Sequence, residues 1–401
     1  MRTSSSSWSG ARAVTWCERA LCCGSQNRMH PAARQDPLGV AMVPKNGSTT
    51  EPARSWMREN MAIFDRLDPE LAVVVAQVPV VDLSDVPAAR AALAELYALI
   101  NTAEPNPRVS HSDHQAPGRD GNPDVKVRVF RPADVPASAE LLPCVYWTQG
   151  GGYVLTAPDL DDQWCEGLVD AHRCVVVSVD WRRAPEHPFP AAAEDCYAGL
   201  AWVVDSSRDL GVDARRIAIA GHSSGGGSTA GLALLVRDRA EFSVAHAMLI
   251  YPMIDDTDTT RSSQTVTDPQ VWNRTNNEIG WRSYLGDTYG TDSVSPYAAP
   301  ARMTELGGLP PTSILTGDLD LFVDEDVTYA QRLMHAEVPT ELHVYPGAHH
   351  GFDRQVPTAA VSRQVFADRD AILARVFNPP SAHEAGSPTP VGVTGVAGDA
   401  G

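Results

Sequence analysis

Five short runs of this chain are almost wholly apolar: Cys144–Trp147, Cys174–Val177, Ile217–Ala220, Met248–Ile250 and Ser313–Leu315. Helical patterns separate them. Runs of this length suit strands shielded on both faces, which is the situation of parallel strands with helices packed above and below. The chain is therefore expected to form an α/β fold around a mostly parallel central sheet. Val125, Val127 and Val129 alternate with Lys126 and Arg128, a spacing that predicts a half-exposed edge strand. No internal repeat is evident.

Outside this region the pattern changes. Residues 1–56 carry little periodicity and are expected to be a disordered extension, or a leader upstream of the native start, since Met29, Met42, Met57 and Met61 follow Met1. A transit peptide is the competing reading, because Arg2, Arg12, Arg19, Arg28 and Arg34 are opposed only by Glu18 before Asp36. Residues 57–108 are helical, with Leu71, Val74 and Val75 at i, i+3, i+4 spacing and a second run through Ala92, Leu93, Leu96 and Leu99. They precede the first strand and are placed to fold back as a cap. The catalytic domain is expected over 109–377. Low-complexity sequence over 378–401 reads as a disordered tail.

The net charge of −18 disfavours nucleic acid and anionic membrane surfaces as partners and favours a small neutral or cationic substrate. No run of about 18 apolar residues is present. The 7 cysteines are odd in number and lack zinc-ligand spacing, which fits reduced thiols in a cytoplasmic protein. Neither a metal nor an organic cofactor is indicated.

Chemistry is concentrated in three segments. Gly221-His222-Ser223-Ser224-Gly225 lies between the Ile217–Ala220 strand and a helix from Gly225 to about Arg239. On such a turn small flanking residues let the backbone bend sharply and expose the serine hydroxyl. Asp320 and His350 follow in the order Ser, Asp, His. A serine hydroxyl is a weak nucleophile, so it needs a base and fixed donors for the oxyanion. Gly150-Gly151-Gly152 follows another strand and lets backbone N–H groups approach a substrate oxygen. Gly151, Gly152 and the Ser224 N–H are the candidate oxyanion donors, the last helped by the positive end of its helix.

These segments resemble the hormone-sensitive-lipase-like branch of the α/β-hydrolases, bacterial carboxylesterases in particular. The similarity is carried by Gln149-Gly150-Gly151-Gly152-Tyr153, Arg182 to Ala191, Gly221 to Gly226, Tyr251 to Asp255, Ser295-Pro296-Tyr297, Gly317 to Glu325 and Pro346 to Phe352. The resemblance implies Ser223 as nucleophile, His350 as base and then acid, and Asp320 as the carboxylate that orients the imidazole. It also implies an acyl-serine intermediate, short- to medium-chain esters as substrates, and a homodimer. This chain departs from the pattern in having Gln149 where histidine is usual, and His222 and Ser224 on either side of the nucleophile where an acid and alanine are usual.

Other carboxylates and histidines compete for these roles. Asp324 is the reserve for Asp320, whereas Glu325 and Asp326 are expected at the N-terminus of the next helix, where negative charge is favourable. His349 neighbours His350, but adjacent loop side chains diverge. His222 and His187 are assigned structural roles. A serine carboxylesterase is the expected function; the alternatives are a deacetylase of a specialised metabolite, a ligand-binding receptor or a lyase on the same fold.

Overall fold

A computed structural model of the chain describes residues 63, 65–100, 106–137, 140–155 and 158–378, with only the backbone of 96–100. The expectations for 1–56 and for the tail beyond 378 lie outside the described residues.

Among the described residues two helices precede the sheet, α1 (Pro69–Val75) and α2 (Val86–Ile100). The Asp68 carboxylate caps α1 by accepting from the Glu70 N–H at 2.8 Å, and Pro69 occupies its first turn, where a missing N–H costs nothing. Strands β1 (Val109–Ala116), β2 (Val125–Pro132) and β3 (Leu142–Thr148) follow, then α3 (Asp162–His172), β4 (Val175–Asp180), α4 (Ala191–Asp205), β5 (Val212–His222) and α5 (Ser224–Arg239). The second half adds β6 (His246–Ile250), α6 (Arg261–Thr265), α7 (Arg274–Leu285), β7 (Thr312–Gly317), α8 (Val323–His335), β8 (Thr340–Tyr345), α9 (Phe352–Gln355) and α10 (Ala360–Phe377).

The 8-stranded sheet has the order β1-β2-β4-β3-β5-β6-β7-β8. Both β1 and β4 pair antiparallel with β2, and every later pair is parallel. Each apolar run of the sequence lies in or overlaps a parallel strand. Alternate residues of these strands enter two cores: Tyr146, Ile217 and Ile219 pack on one face, and Val145, Trp147, Ala218 and Ala220 on the other. Fully burying one such large side chain contributes about 1.5–3 kcal/mol, so strands buried on both faces hold the sheet's centre most firmly.

One expectation is corrected. The Val125–Val129 segment is not an edge strand, because β2 is paired on both sides and the edge is β1. Its alternation arises from a different cause: Val125, Val127 and Val129 are buried, whereas Arg128 ion-pairs with Asp113, Asp159 and Asp162 beside the sheet. Burial of one face and ion pairing on the other produce the same sequence pattern as an edge.

The N-terminal helices are tied to the sheet's C-terminal end. Arg90 on α2 donates to the backbone carbonyls of Val154 at 2.6 Å and Ala184 at 2.7 Å, and makes a two-pronged contact with Glu186 at 2.7 and 2.9 Å. This contact lowers the Glu186 carboxyl to a pKa of about 2. The loop after α1 is held by Asn276 of α7, whose side-chain amide donates to the Val81 carbonyl at 2.9 Å. Arg90→Met would retain much of the apolar stem and lose the donors. It is expected to cost about 1–3 kcal/mol of stability, read by chemical denaturation, and to raise KM more than it changes kcat by loosening this anchor; a variant as stable as the parent would show that α2 is held by other contacts.

Candidate active site

β5 enters the sheet's centre between β3 and β6, and its last residues lead into Ser223 and α5. Ser223 has φ 56° and ψ −127°, a conformation that non-glycine residues rarely adopt and that turns its side chain out of the strand-to-helix bend. The bend leaves no room beside it. A Cβ at Gly225 would lie 2.1 Å from the Thr148 carbonyl oxygen of β3.

Two loops from neighbouring strands meet this turn. The loop after β7 carries Asp320, and the loop after β8 carries His350. His350 Nε2 lies 2.8 Å from Ser223 Oγ, and His350 Nδ1 lies 2.8 Å from Asp320 Oδ2. The other Asp320 oxygen accepts the Phe322 N–H at 2.9 Å, which fixes the carboxylate. All three side chains are buried. The His350 ring is also boxed edge-on by Tyr251 at 4.9 Å and Phe322 at 5.1 Å. A hydroxyl, an imidazole and a carboxylate in this series can remove the hydroxyl proton and stabilise the imidazolium that results.

The glycine loop after β3 forms another wall. Gly151 and Gly152 have φ of 129° and 58°, and a Cβ at Gly152 would lie 2.2 Å from the Trp272 ring. At Gly152 glycine is required by both backbone and space. Ser224 is fully buried at the first turn of α5, where backbone N–H groups have no partner within the helix. A cavity of about 240 Å³ opens above these groups, lined by Ser223, His350 and the three glycines, by Val78, Pro79, Val81 and Leu93 from the N-terminal region, and by Val271 and Trp272.

The remaining candidates fall elsewhere. Asp324 accepts the Ser262 N–H at 2.8 Å and so belongs to the contact between α8 and α6. His349 is buried, with Nδ1 2.9 Å from the His350 carbonyl, and burial pushes its pKa down to about 4. His187 is exposed. His222 lines the same cavity, stacks on Trp147, and has its Nε2 3.3 Å from the Gly150 nitrogen. Gln149 is buried and donates to the Ser178 hydroxyl of β4.

Sequence reading missed Trp272, Asn276, Asp161 and Arg354 around the cavity. Only Arg354 carried a local signal, its place four residues after His350. The expectation for Glu325 and Asp326 is corrected: both lie in the first turn of α8, as expected, but both are buried, so negative charge there is disfavoured. Burial raises the Glu325 pKa to about 8, although its carboxylate accepts a hydrogen bond from Thr260. Asp326 is shifted in the same direction for the same reason, with the Asp320 charge adding to it.

Residues 145–354 match a family model described as the alpha/beta hydrolase fold. The chain is 34% identical over 247 residues to the carboxylesterase NlhH of Mycobacterium tuberculosis, covering 61% of this chain and 76% of that protein. It is 31% identical over 245 residues to an ethyl acetate hydrolase of Pseudomonas putida, again covering 61% of this chain and 76% of the other. Among solved structures, a bacterial heroin esterase superposes with a TM-score of 0.74 at 38% identity, over 79% of this chain and 99% of that one.

The buried acids give a prediction about stability. The folded-state pKa of Glu325, about 8, lies above its ordinary value of 4.5. Between those values the native chain holds a proton that the unfolded chain has released, so stability falls as pH rises through that window. Glu325→Gln is expected to flatten the decline of Tm between about pH 5 and pH 8 by a few degrees; parallel Tm curves for the variant and parent would contradict it.

Proposed function

The chain belongs to the hormone-sensitive-lipase-like branch of the α/β-hydrolases and is a carboxylic ester hydrolase, and from that premise we propose that it cleaves short-chain esters through an acyl-Ser223 intermediate. The 2.8 Å and 2.8 Å contacts that link Ser223 to His350 and His350 to Asp320, at the floor of a cavity, carry this reading.

In this mechanism His350 Nε2 takes the Ser223 proton as Oγ attacks the ester carbonyl. The negative charge that develops on the carbonyl oxygen is held by the backbone N–H groups of Gly151, Gly152 and Ser224. Asp320 keeps the proton of the neutral imidazole on Nδ1 and stabilises the imidazolium once it forms. Collapse of the tetrahedral intermediate breaks the bond to the alkoxy oxygen, which leaves with the proton from Nε2 as free alcohol. Water then enters, gives its proton to Nε2, attacks the acyl carbon and releases the acid while Oγ recovers its proton. No step requires a metal or an organic cofactor.

Acyl preference follows from space. The cavity of about 240 Å³ is smaller than the roughly 300–1,000 Å³ of sites for drug-sized ligands. Val78, Val81, Leu93 and Trp272 give it apolar walls, so short acyl groups fit and long chains meet α2 and the loop that precedes it. The cytoplasmic placement rests on chemistry: Cys144, Cys165, Cys174 and Cys196 are free and buried, as thiols are in a reducing compartment. Among the described residues no helix is long and apolar enough to cross a membrane.

The test is a chain-length series of para-nitrophenyl esters. The parent chain is expected to prefer acetate to butyrate esters and to lose kcat/KM steeply beyond them. Ser223→Ala is expected to lower kcat by about 10⁴–10⁶-fold; turnover at the parent rate would remove Ser223 from the mechanism.

A further inference from the structure

We propose that His222 is a positioning residue that fixes the glycine loop for oxyanion binding by accepting the Gly150 N–H on its Nε2. This inference rests on the serine-esterase reading of the site and assigns a role in it to the residue immediately before Ser223.

The geometry is specific. Gly150 N lies 3.3 Å from His222 Nε2, and the two residues are brought together from adjacent strands β3 and β5. The fit is also close in the steric sense, because a Cβ on Gly150 would lie 2.6 Å from that same nitrogen. An imidazole accepts on one nitrogen only when its proton sits on the other. Nδ1 faces the Asp161 carboxylate, 3.7 Å away, which favours the proton on that side. The required tautomer and the surrounding charge therefore agree.

The ring itself is locked. It stacks on Trp147 with centroids 5.7 Å apart and meets Tyr251 edge-on at 6.3 Å. Trp147 in turn donates its indole N–H to Asp161 at 2.7 Å, and Arg354 ion-pairs with the other Asp161 oxygen. Burial, reinforced by the positive charge of Arg354, pushes the His222 pKa down to about 3 despite the opposing Asp161. The ring thus stays neutral, with its acceptor available, across the pH range in which an ester hydrolase of this kind would work.

The functional consequence lies one residue further on. Pinning the Gly150 N–H fixes the peptide from which Gly151 and Gly152 extend with their positive φ values. Donors for a developing oxyanion have to be held in place before the charge appears, because reorganising them during reaction forfeits most of their effect. A misplacement of about 1 Å in such a constellation can cost about 10²-fold in rate.

The experiment compares His222→Gln, which keeps an acceptor near the Nε2 position, with His222→Phe, which keeps an aromatic ring and removes the acceptor. With para-nitrophenyl butyrate, kcat of the Phe variant is expected to fall about 10–100-fold with KM within about twofold, while the Gln variant stays within about threefold of the parent. The inference is overturned if the Phe variant keeps the parent kcat, if Gln falls as far as Phe, or if only KM moves. Should Phe fail to fold, His222→Asn replaces it: its shorter amide does not reach Gly150, so Asn is expected to lose kcat where Gln retains it, and equal rates for the two overturn the proposal. Ser223→Ala in the same assay separates the two levels. An inactive Ser223→Ala beside unaffected His222 variants defeats only this inference, whereas an active one defeats the reading beneath it.

Discussion

The unusual backbone of Ser223 is the constraint on which the rest of the site depends. Its φ of 56° is unfavourable for any side chain with a Cβ, and such a conformation persists only when its surroundings over-determine it. Here the surroundings are the centre of the sheet. Ser223 donates its N–H to the Ile250 carbonyl at 2.9 Å, and its own carbonyl accepts from both Gly227 and Met253. Thr148 of β3 closes the other side by donating to the Gly225 carbonyl at 2.8 Å. The strain is therefore held by strands buried on both faces, the part of the molecule least able to relax.

From that fixed point the site is assembled by parallel strands. β3, β5, β7 and β8 all end on the same side, so their loops deliver the glycines, Ser223, Asp320 and His350 to one place. The contact between His350 and Ser223 spans 127 residues of sequence, yet it needs only that neighbouring strands keep register. Rigidity is then added around the imidazole by aromatic rings, and around the glycine loop by His222. Polar groups behind the site serve this rigidity too: Asp161 is shared by Trp147, which stacks on His222, and by Arg354, which lines the cavity, so one carboxylate ties the two together.

How much of this was legible in the sequence depends on which force holds each element. The central strands were legible because burial on both faces writes a continuous apolar run. β1 was not: its sequence Val-Ser-His-Ser-Asp-His-Gln-Ala is mostly polar and exposed, and it is a strand because β2 offers a ladder to pair with. The same pairing made β2 an interior strand, which no local pattern could reveal. Ser223, Asp320 and His350 stood out because the chemistry proposed for them demands rare residues in rare turns, and the structure brings the three side chains into one hydrogen-bonded series. The burial of Glu325 and Asp326 was hidden, since a carboxylate at a helix N-terminus is locally favourable whether or not another element covers it.

His222 shows the limit of local reading most clearly. In sequence it looks like a spare base beside the serine, and the sharp turn alone argues that its ring points elsewhere. What it points at is decided by β3, 72 residues away. The replacement of an acid at this position also becomes intelligible in physical terms. A carboxylate here would sit near Asp161 and depend on Arg354 for neutralisation, whereas a neutral imidazole offers the same acceptor without adding charge to a buried cluster. A neutral ring thereby holds the Gly150 N–H without adding a second charge beside Asp161, which is already paired with Arg354.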